Sequence, residues 1–315
     1  MLGEVAAGRD PAEDRDKARI SKTMGDLLDQ FIDEHVVAKL KKNTIGAHKS
    51  SINLHVPQKL KNRFIIEISR RDMSNLHNKM QDTPSQANRT IAMLSKFFNW
   101  CEQNGHRDNG SNPCRHIKRY KEHKRERFLS PEELSRLSRA LKDAEKEQTA
   151  TPWSIAAIRL LIFTGARLNE ILTLKWEYVD FDLKQIRLPD SKTGRKSIYL
   201  NDPALDLLAG VPRTEGNPFV ICGARKGRNL VNLQKPWRRI RSAAGLDDVR
   251  LHDLRHTFAS FGAIGGISLP IIGGLVGHSQ PGTTARYAHL SNDPLMAASN
   301  AIGSEIAKAM RQDGK

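Results

Sequence analysis

Apolar residues recur at helical spacing from Ser21 onward: Met24, Leu27, Leu28, Phe31 and Ile32 form one stripe, and Val36 continues it. Three more stripes follow. The weakest runs from Ile45 to Leu54, and a short one from Ser69 carries Met73, Leu76 and Met80. The last begins at Pro84, carries Ile91, Leu94, Phe98 and Cys101, and ends at Asn104-Gly105. Together they predict a helical domain over residues 21–117. Phe97, Phe98 and Trp100 fall in the last stripe, where aromatics at this spacing read as core before they read as base-stacking surface. Residues 1–20 are polar and weakly periodic, a tail or short helix without a core of its own.

A second patterned region opens at Ser130-Pro131-Glu132-Glu133: a Ser cap, Pro at the first helical position, and an acidic first turn. Its apolar run from Pro152 to Phe163 stops at Thr164-Gly165, and the next helix turns Leu168, Ile171 and Leu172 inward. The period then drops to two. Ile186 and Leu188 alternate, as do Ile198 and Leu200, with Ser191-Lys192-Thr193-Gly194 between them; this predicts a β-hairpin with a longer loop. Helices resume near Pro203, Leu233, Leu251 and Leu269. After Asp293-Pro294, the positions of Leu295, Met296, Ile302, Ile306 and Met310 mark an amphipathic helix. The expected fold is mostly α with a small antiparallel hairpin. It divides into a tail (1–20), a helical domain (21–117), a connector (118–127), a second domain (128–290) and a C-terminal helix (291–315).

At 315 residues the chain can build two ordinary cores. Charge narrows the class of partner. Lys and Arg number 51 against 35 Asp and Glu, a net +16, with an isoelectric point near 9.9. Such an excess attracts polyanions, because neutralising phosphates releases their counterions. The connector KRYKEHKRER concentrates that charge in Lys118, Arg119, Lys121, Lys124, Arg125 and Arg127, which could follow a DNA backbone or simply solvate a tether. Mean hydropathy is −0.53, no apolar run has the roughly 18–20 residues of a membrane span, and the start lacks a signal-peptide pattern; a cytoplasmic protein is expected. Cys101, Cys114 and Cys222 are odd in number and lack CxxC spacing, which suits reduced thiols and indicates neither zinc nor a disulfide framework.

The candidate chemistry is dense between Leu251 and His289, in LHDLRHTFAS and GGLVGHSQPGTTARYAHL. Cleaving a phosphodiester without a metal requires a nucleophile, charge to stabilise the phosphorane, a proton acceptor and a proton donor. His252 and Arg255 are three apart on a predicted helix and share a face. Arg167, just after a Gly-containing turn, could grip two non-bridging oxygens in its fork. Lys192 sits at the hairpin tip, His278 follows Gly277, and Tyr287 comes nine residues later. Each has a plain alternative: a surface arginine, an edge lysine, a capping His-Arg pair, an amphipathic tyrosine anchor.

In order and context these residues closely resemble the tyrosine recombinase (phage integrase) family. TGARLNEIL resembles the first-arginine motif, which implies Arg167 as the catalytic arginine and Glu170 as its supporting acid. DSKTGRKSIYL resembles the hairpin with the family's lysine, Lys192; LHDLRHTFAS supplies His252 and Arg255; LVGHSQPGTTARYAH supplies His278 and the nucleophile Tyr287, with Thr284 three residues before it. The resemblance implies a two-domain DNA clamp that breaks and rejoins strands through a 3′-phosphotyrosyl bond, without ATP, metal or other cofactor. It implies duplex attachment sites as substrate, a tetramer on DNA, DNA-bending accessory proteins, nucleoid association, and integration or excision of a phage or mobile element. LGEVAAGRDPAEDRDKAR resembles only the trailing end of an arm-binding domain. A type IB topoisomerase and a non-catalytic integrase-derived DNA-binding protein are the alternatives. Gly273 and Gly274 fall inside a predicted helix, at about 1 kcal/mol each relative to Ala, and are expected to loosen it.

Overall fold

The computed structural model describes residues 22–37, 42–122, 125–191, 194–278, 280–290 and 294–312. These fall into two compact units divided between Lys124 and Arg125, inside the basic connector.

The first unit contains α1 (Met24–Phe31) and a π-helical turn (Ile32–Val37), then α2 (Lys42–His55), α3 (Gln58–Lys61), α4 (Arg70–Asn78) and α5 (Pro84–Gln103). Two helices start on reciprocal caps. The Thr23 and Ser69 hydroxyls accept from the backbone N–H of Asp26 and Asp72, and each Asp carboxylate accepts from the cap's own N–H. The core forms where α5 meets α1. Phe97 and Trp100 both pack on Phe31, with ring centroids 5.6 Å apart in each case, and Phe97 and Phe98 are fully buried. The α5 aromatics are therefore core, as their spacing predicts. The start of the connector is tied down rather than free. Asn88 Nδ2 donates to the Tyr120 carbonyl at 2.9 Å and to Glu122 at 2.8 Å, and the Tyr120 ring stacks on His77 at 4.2 Å.

The second unit is built around α7 (Pro152–Thr164). Ile155, Ile158, Leu160 and Leu161 are buried on all its sides, so this helix is central rather than amphipathic. Around it lie α6 (Pro131–Lys146), α8 (Leu168–Leu172), α9 (Asp202–Gly210), α10 (Gln234–Ala243) and α11 (Leu251–Ile264). They are followed by α12 (Leu269–Val276), α13 (Pro281–Thr284), a 3-10 turn (Ala285–Leu290) and α14 (Pro294–Gln312). The predicted Ser130 cap is present and reciprocal with Glu133. The sheet is antiparallel in the order β1 (Val179–Asp180), β2 (Gln185–Ser191), β3 (Gly194–Tyr199). The pattern predicts β2 and β3, whereas β1, only two residues long, offers no alternation to read. Ile186 pairs with Ile198 and Leu188 with Lys196, so Lys196 lies on the inward register of β3. Among the described residues, no helix is long and apolar enough to cross a membrane.

Candidate active site

Arg167 occupies the N-cap of α8, and Glu170 lies one turn later. The Glu170 carboxylate accepts from the Arg167 backbone N–H at 2.9 Å and from its Nη1 at 2.9 Å, so one acid both caps the helix and aims the guanidinium. Arg167 Nη2 donates to the Gly277 carbonyl at 2.7 Å, tying α8 to the end of α12. Glu170 has a second cation: Lys196 Nζ, on a side chain only 7% exposed, donates to it at 2.8 Å. Burial works to raise the Glu170 carboxyl, but hydrogen bonds from Lys196 and from Arg167 hold it below the usual range. Burial lowers Lys196, its bond to Glu170 opposes that, and the charges of Arg255 and Arg167 lower it further.

Arg255 lies in α11 and is 3% exposed; its Nη1 donates to the Gly165 carbonyl at 2.7 Å. Burial, then the neighbouring Arg167 charge, pushes it down to about 10, so it stays charged at neutral pH. Arg167, Lys196 and Arg255 thus face a single carboxylate between them. The centre carries net positive charge in a desolvated setting, where an incoming anion is held strongly. His252 sits one turn before Arg255 with an exposed edge, and desolvation of its ring, then Arg255, lowers its pKa.

Tyr287 is 4% exposed, packed with Ala259, Ala263, Ile272 and Val276, and so is no surface anchor. Its hydroxyl lies 2.5 Å from Nδ1 of His256. Burial, reinforced by His252, Arg286, Arg255 and His278, pushes His256 down to about 4, while burial raises the Tyr287 phenol against the opposing Arg286 and Arg255 charges. Both groups are neutral at pH 7, which assigns the phenol as donor, Nδ1 as acceptor and the His256 proton to Nε2. The His252 ring meets His256 edge-on with centroids 4.9 Å apart, and it is His256 that bonds the phenol. His278 shares a 2.8 Å hydrogen bond with Thr284 Oγ1 and is pushed down to about 4, by burial first and then by Arg255 and Arg167.

Two glycines allow these groups to converge. Gly277 has φ +69 at the end of α12, and a Cβ there would come within 2.7 Å of Lys196 Cε. A Cβ on Gly273 would come within 2.9 Å of Thr284 Oγ1, the partner of His278. Helix α12 forms through both interior glycines, and only Gly274 faces open space. Gly273 is therefore a close-approach position.

The structure brings Arg167, Glu170, His252, Arg255, His278 and Tyr287 to one end of the second unit, and adds two residues that the sequence reading passed over, His256 and Lys196. Lys192 and Lys124 lie outside the described residues. The connector's cations separate into two groups. Lys118, Arg119 and Lys121 are exposed. Arg127 pairs with Glu133 at 2.7 Å and Asp248 at 2.8 Å, Arg125 reaches Asp253 at 3.4 Å, and Arg286 donates to the Arg125 carbonyl at 2.7 Å. Direct DNA contact by Arg125 or Arg127 would require these pairs to open. Among the described residues, no three His, Cys, Asp or Glu side chains converge as metal ligands would.

Comparison with known proteins identifies the family and the fold. A model of the phage integrase family matches residues 127–293. Tyrosine recombinase XerC of Herpetosiphon aurantiacus is 28% identical over 304 residues, covering 86% of this chain and 92% of that protein. XerC of Staphylococcus epidermidis is 30% identical over 154 residues, covering 44% of this chain and 49% of the relative, so this match spans about half of that relative's length. The integrase of Salmonella phage P22 is 28% identical over 201 residues, covering 58% and 48%. The fold is shared with a lambda integrase dimer bound to a COC′ core site, with a TM-score of 0.69 and 20% identity over 89% of this chain and 81% of that one. It is shared equally with the Tn1549 transposon integrase in complex with circular intermediate DNA, at a TM-score of 0.69 and 19% identity over 89% and 99%. With the match over residues 127–293 taking in more than half of its 315 residues, the chain belongs to the phage integrase family.

Proposed function

We propose that this protein is a site-specific DNA recombinase that cleaves and rejoins strands through Tyr287. The observation that carries the reading is the juxtaposition of a buried, hydrogen-bonded tyrosine with a centre where Arg167, Lys196 and Arg255 share one carboxylate. A phosphodiester supplies the missing negative charge. Arg167 and Arg255 hold its non-bridging oxygens, and their stabilisation grows as charge builds on the phosphorane. Tyr287 Oη attacks phosphorus and the bond to the 5′ oxygen breaks, leaving a 3′-phosphotyrosyl link and a free 5′-hydroxyl. Lys192 protonates the leaving oxygen, His252 moves protons as base or shuttle, and His278 hydrogen-bonds a phosphate oxygen. Glu170 fixes Arg167 and neutralises Lys196. The covalent link conserves the phosphodiester energy, so resealing needs no nucleotide hydrolysis.

Exchange between two duplexes takes four such sites. A lambda integrase tetramer bound to a Holliday junction shares the fold, which supports a tetramer on DNA here, with α14, whose Ile302, Ile306 and Met310 are exposed, as the docking element. DNA-bending proteins would assist, and the protein would act on the nucleoid in the cytoplasm. We place its sites in a phage or mobile element, though its relatives include both XerC recombinases and the P22 integrase. Covalent capture tests the strand chemistry and the location of the sites. Wild type and Tyr287→Phe are expressed, denatured and recovered, and the attached DNA is sequenced. Adducts are expected only from wild type, with ends clustered at one locus whose identity separates an element site from a chromosomal one. Scattered ends would indicate topoisomerase-like strand relaxation, and adducts from Tyr287→Phe would mean another nucleophile.

A further inference from the structure

We infer that His256 takes the phenolic proton of Tyr287 as the tyrosine attacks phosphorus, making it a further catalytic residue of the reaction proposed above, on which this inference rests. The attacking oxygen must lose its proton by the time the O–P bond is complete, and a buried phenol holds that proton more tightly than one in water. An acceptor already in contact is therefore the first candidate, since geometry comes before basicity in identifying it. His256 Nδ1 lies 2.5 Å from the hydroxyl, at the short end of the range for such bonds.

Among the described residues, Glu126 and His289 line the same pocket without a hydrogen bond to the Tyr287 hydroxyl, and the remaining titratable groups have contacts of their own. The His252 ring touches His256 rather than the phenol, which leaves it the shuttle and not the first acceptor, and His278 is bonded to Thr284. Glu133 and Asp248 hold Arg127, and Asp253 pairs with Arg125. His256 is also well placed to stay put. It occupies the interior of α11, directly after Arg255, beside the cluster of Ala259, Ala263, Ile272 and Val276 that packs Tyr287.

Without DNA the imidazole is a weak base, because it is buried and faces positive charge. His252 and Arg255 face it from its own helix, His278 from the end of α12, and Arg286 from the 3-10 turn. Arg127, Glu126 and His289 share the wall of the small pocket at Tyr287. A phosphodiester bound to Arg167 and Arg255 cancels part of that charge and raises the basicity of His256 when it is needed. The step balances. The Oη–P bond forms and the P–O5′ bond breaks; the phenolic proton moves to Nδ1, giving an imidazolium that keeps its Nε2 proton; Lys192 supplies the proton to the 5′ oxygen. In religation the imidazolium returns its proton to the departing phenolate.

The test uses the full chain and the duplex recovered by covalent capture, nicked beside the cleavage point so that the adduct accumulates. Adduct formation is timed for wild type, His256→Asn and His256→Ala. Asparagine keeps a hydrogen-bond acceptor near the Nδ1 position but cannot take a proton. Both variants are expected to form adduct roughly 100- to 1000-fold more slowly while binding the duplex as wild type does. Their rates should climb with pH where the wild-type rate levels off, and imidazole should partly rescue the alanine variant. An Asn variant with wild-type rate and pH profile would reduce His256 to an orienting contact. An alanine variant within about threefold of wild type would make it a bystander. Should alanine unfold the chain, the asparagine variant alone decides. A wild-type protein that leaves no adduct would overturn the recombinase reading and this inference together, whereas a wild-type adduct insensitive to His256 overturns only this one.

Discussion

At Glu170 a single carboxylate meets two cations, and the consequences can be measured. Replacing it with Gln leaves Lys196 buried without a counter-ion and frees Arg167 from its cap. Breaking a buried pair in this way costs on the order of 3 kcal/mol, expected as a lower urea midpoint at unchanged slope. Because the folded carboxyl is lowered, its contribution is complete above the unfolded value of about 4.3 and is lost as pH falls through the folded one. The gap between wild type and Glu170→Gln should therefore close in acid, and a gap that persists there would assign the loss to packing. The histidines act earlier in the titration. His256 and His278 sit at about 4 when folded, so between about 6.5 and 4 the unfolded chain binds more protons and stability falls with pH. His278→Gln should flatten this limb in urea titrations across that window. Much of the candidate site was legible at this scale, because its arginines, histidines and tyrosine sit in motifs with fixed spacing. His256 and Lys196 were overlooked for physical reasons. His256 lies four residues after His252, one helical turn along, but next to the more obvious Arg255. Lys196 shares the strand face of Ile198 and Leu200, and a lysine on an apolar face was the signal of a buried partner.

Elements with local signatures were the more legible: the Ser130 cap is plain in the sequence, although the Thr23 cap and the π-helical turn after Phe31 were not singled out. Thr23, Ser69 and Ser130 start helices because their hydroxyls satisfy backbone N–H groups that no earlier carbonyl can reach, and this needs only a few neighbouring residues. Features set by tertiary contact were not. Strand β1 exists through its pairing with β2, and the two glycines of α12 read alike in sequence although their surroundings differ. A paired substitution separates them. Gly274→Ala adds a methyl in open space within a helix and should stabilise the chain by about 0.5–1 kcal/mol. Gly273→Ala drives a methyl against Thr284 Oγ1 and should destabilise it by about 1–3 kcal/mol. It should also slow DNA cleavage, because Thr284 holds His278. Thermal melts of both variants check the sign of each change. Equal effects would mean that the approach of α12 to Thr284 imposes no constraint.

Across the whole molecule, the net charge of +16 favours polyanions without regard to sequence, and the connector's cations are not all equally available to meet one. Lys118, Arg119 and Lys121 are exposed in the first unit, free to neutralise phosphates and release counterions. Arg127, in the second, is held between Glu133 and Asp248, and its hydrogen bonds to both acids raise its pKa. The same residue type a few positions apart therefore has opposite expected signatures. Alanine at Lys118, Arg119 or Lys121 should weaken binding to specific and unrelated duplexes alike. Each should reduce the slope of log affinity against log salt by about 0.9, with no change in melting temperature. Arg127→Ala should leave the salt slope alone and lower the melting temperature, because Glu133 and Asp248 lose their shared partner. Binding titrations at several salt concentrations, run beside thermal melts, distinguish the two. If Arg127→Ala reduced the slope as the Lys118, Arg119 and Lys121 variants do, its ion pairs would have to open on DNA, and its guanidinium would join those three in holding phosphates.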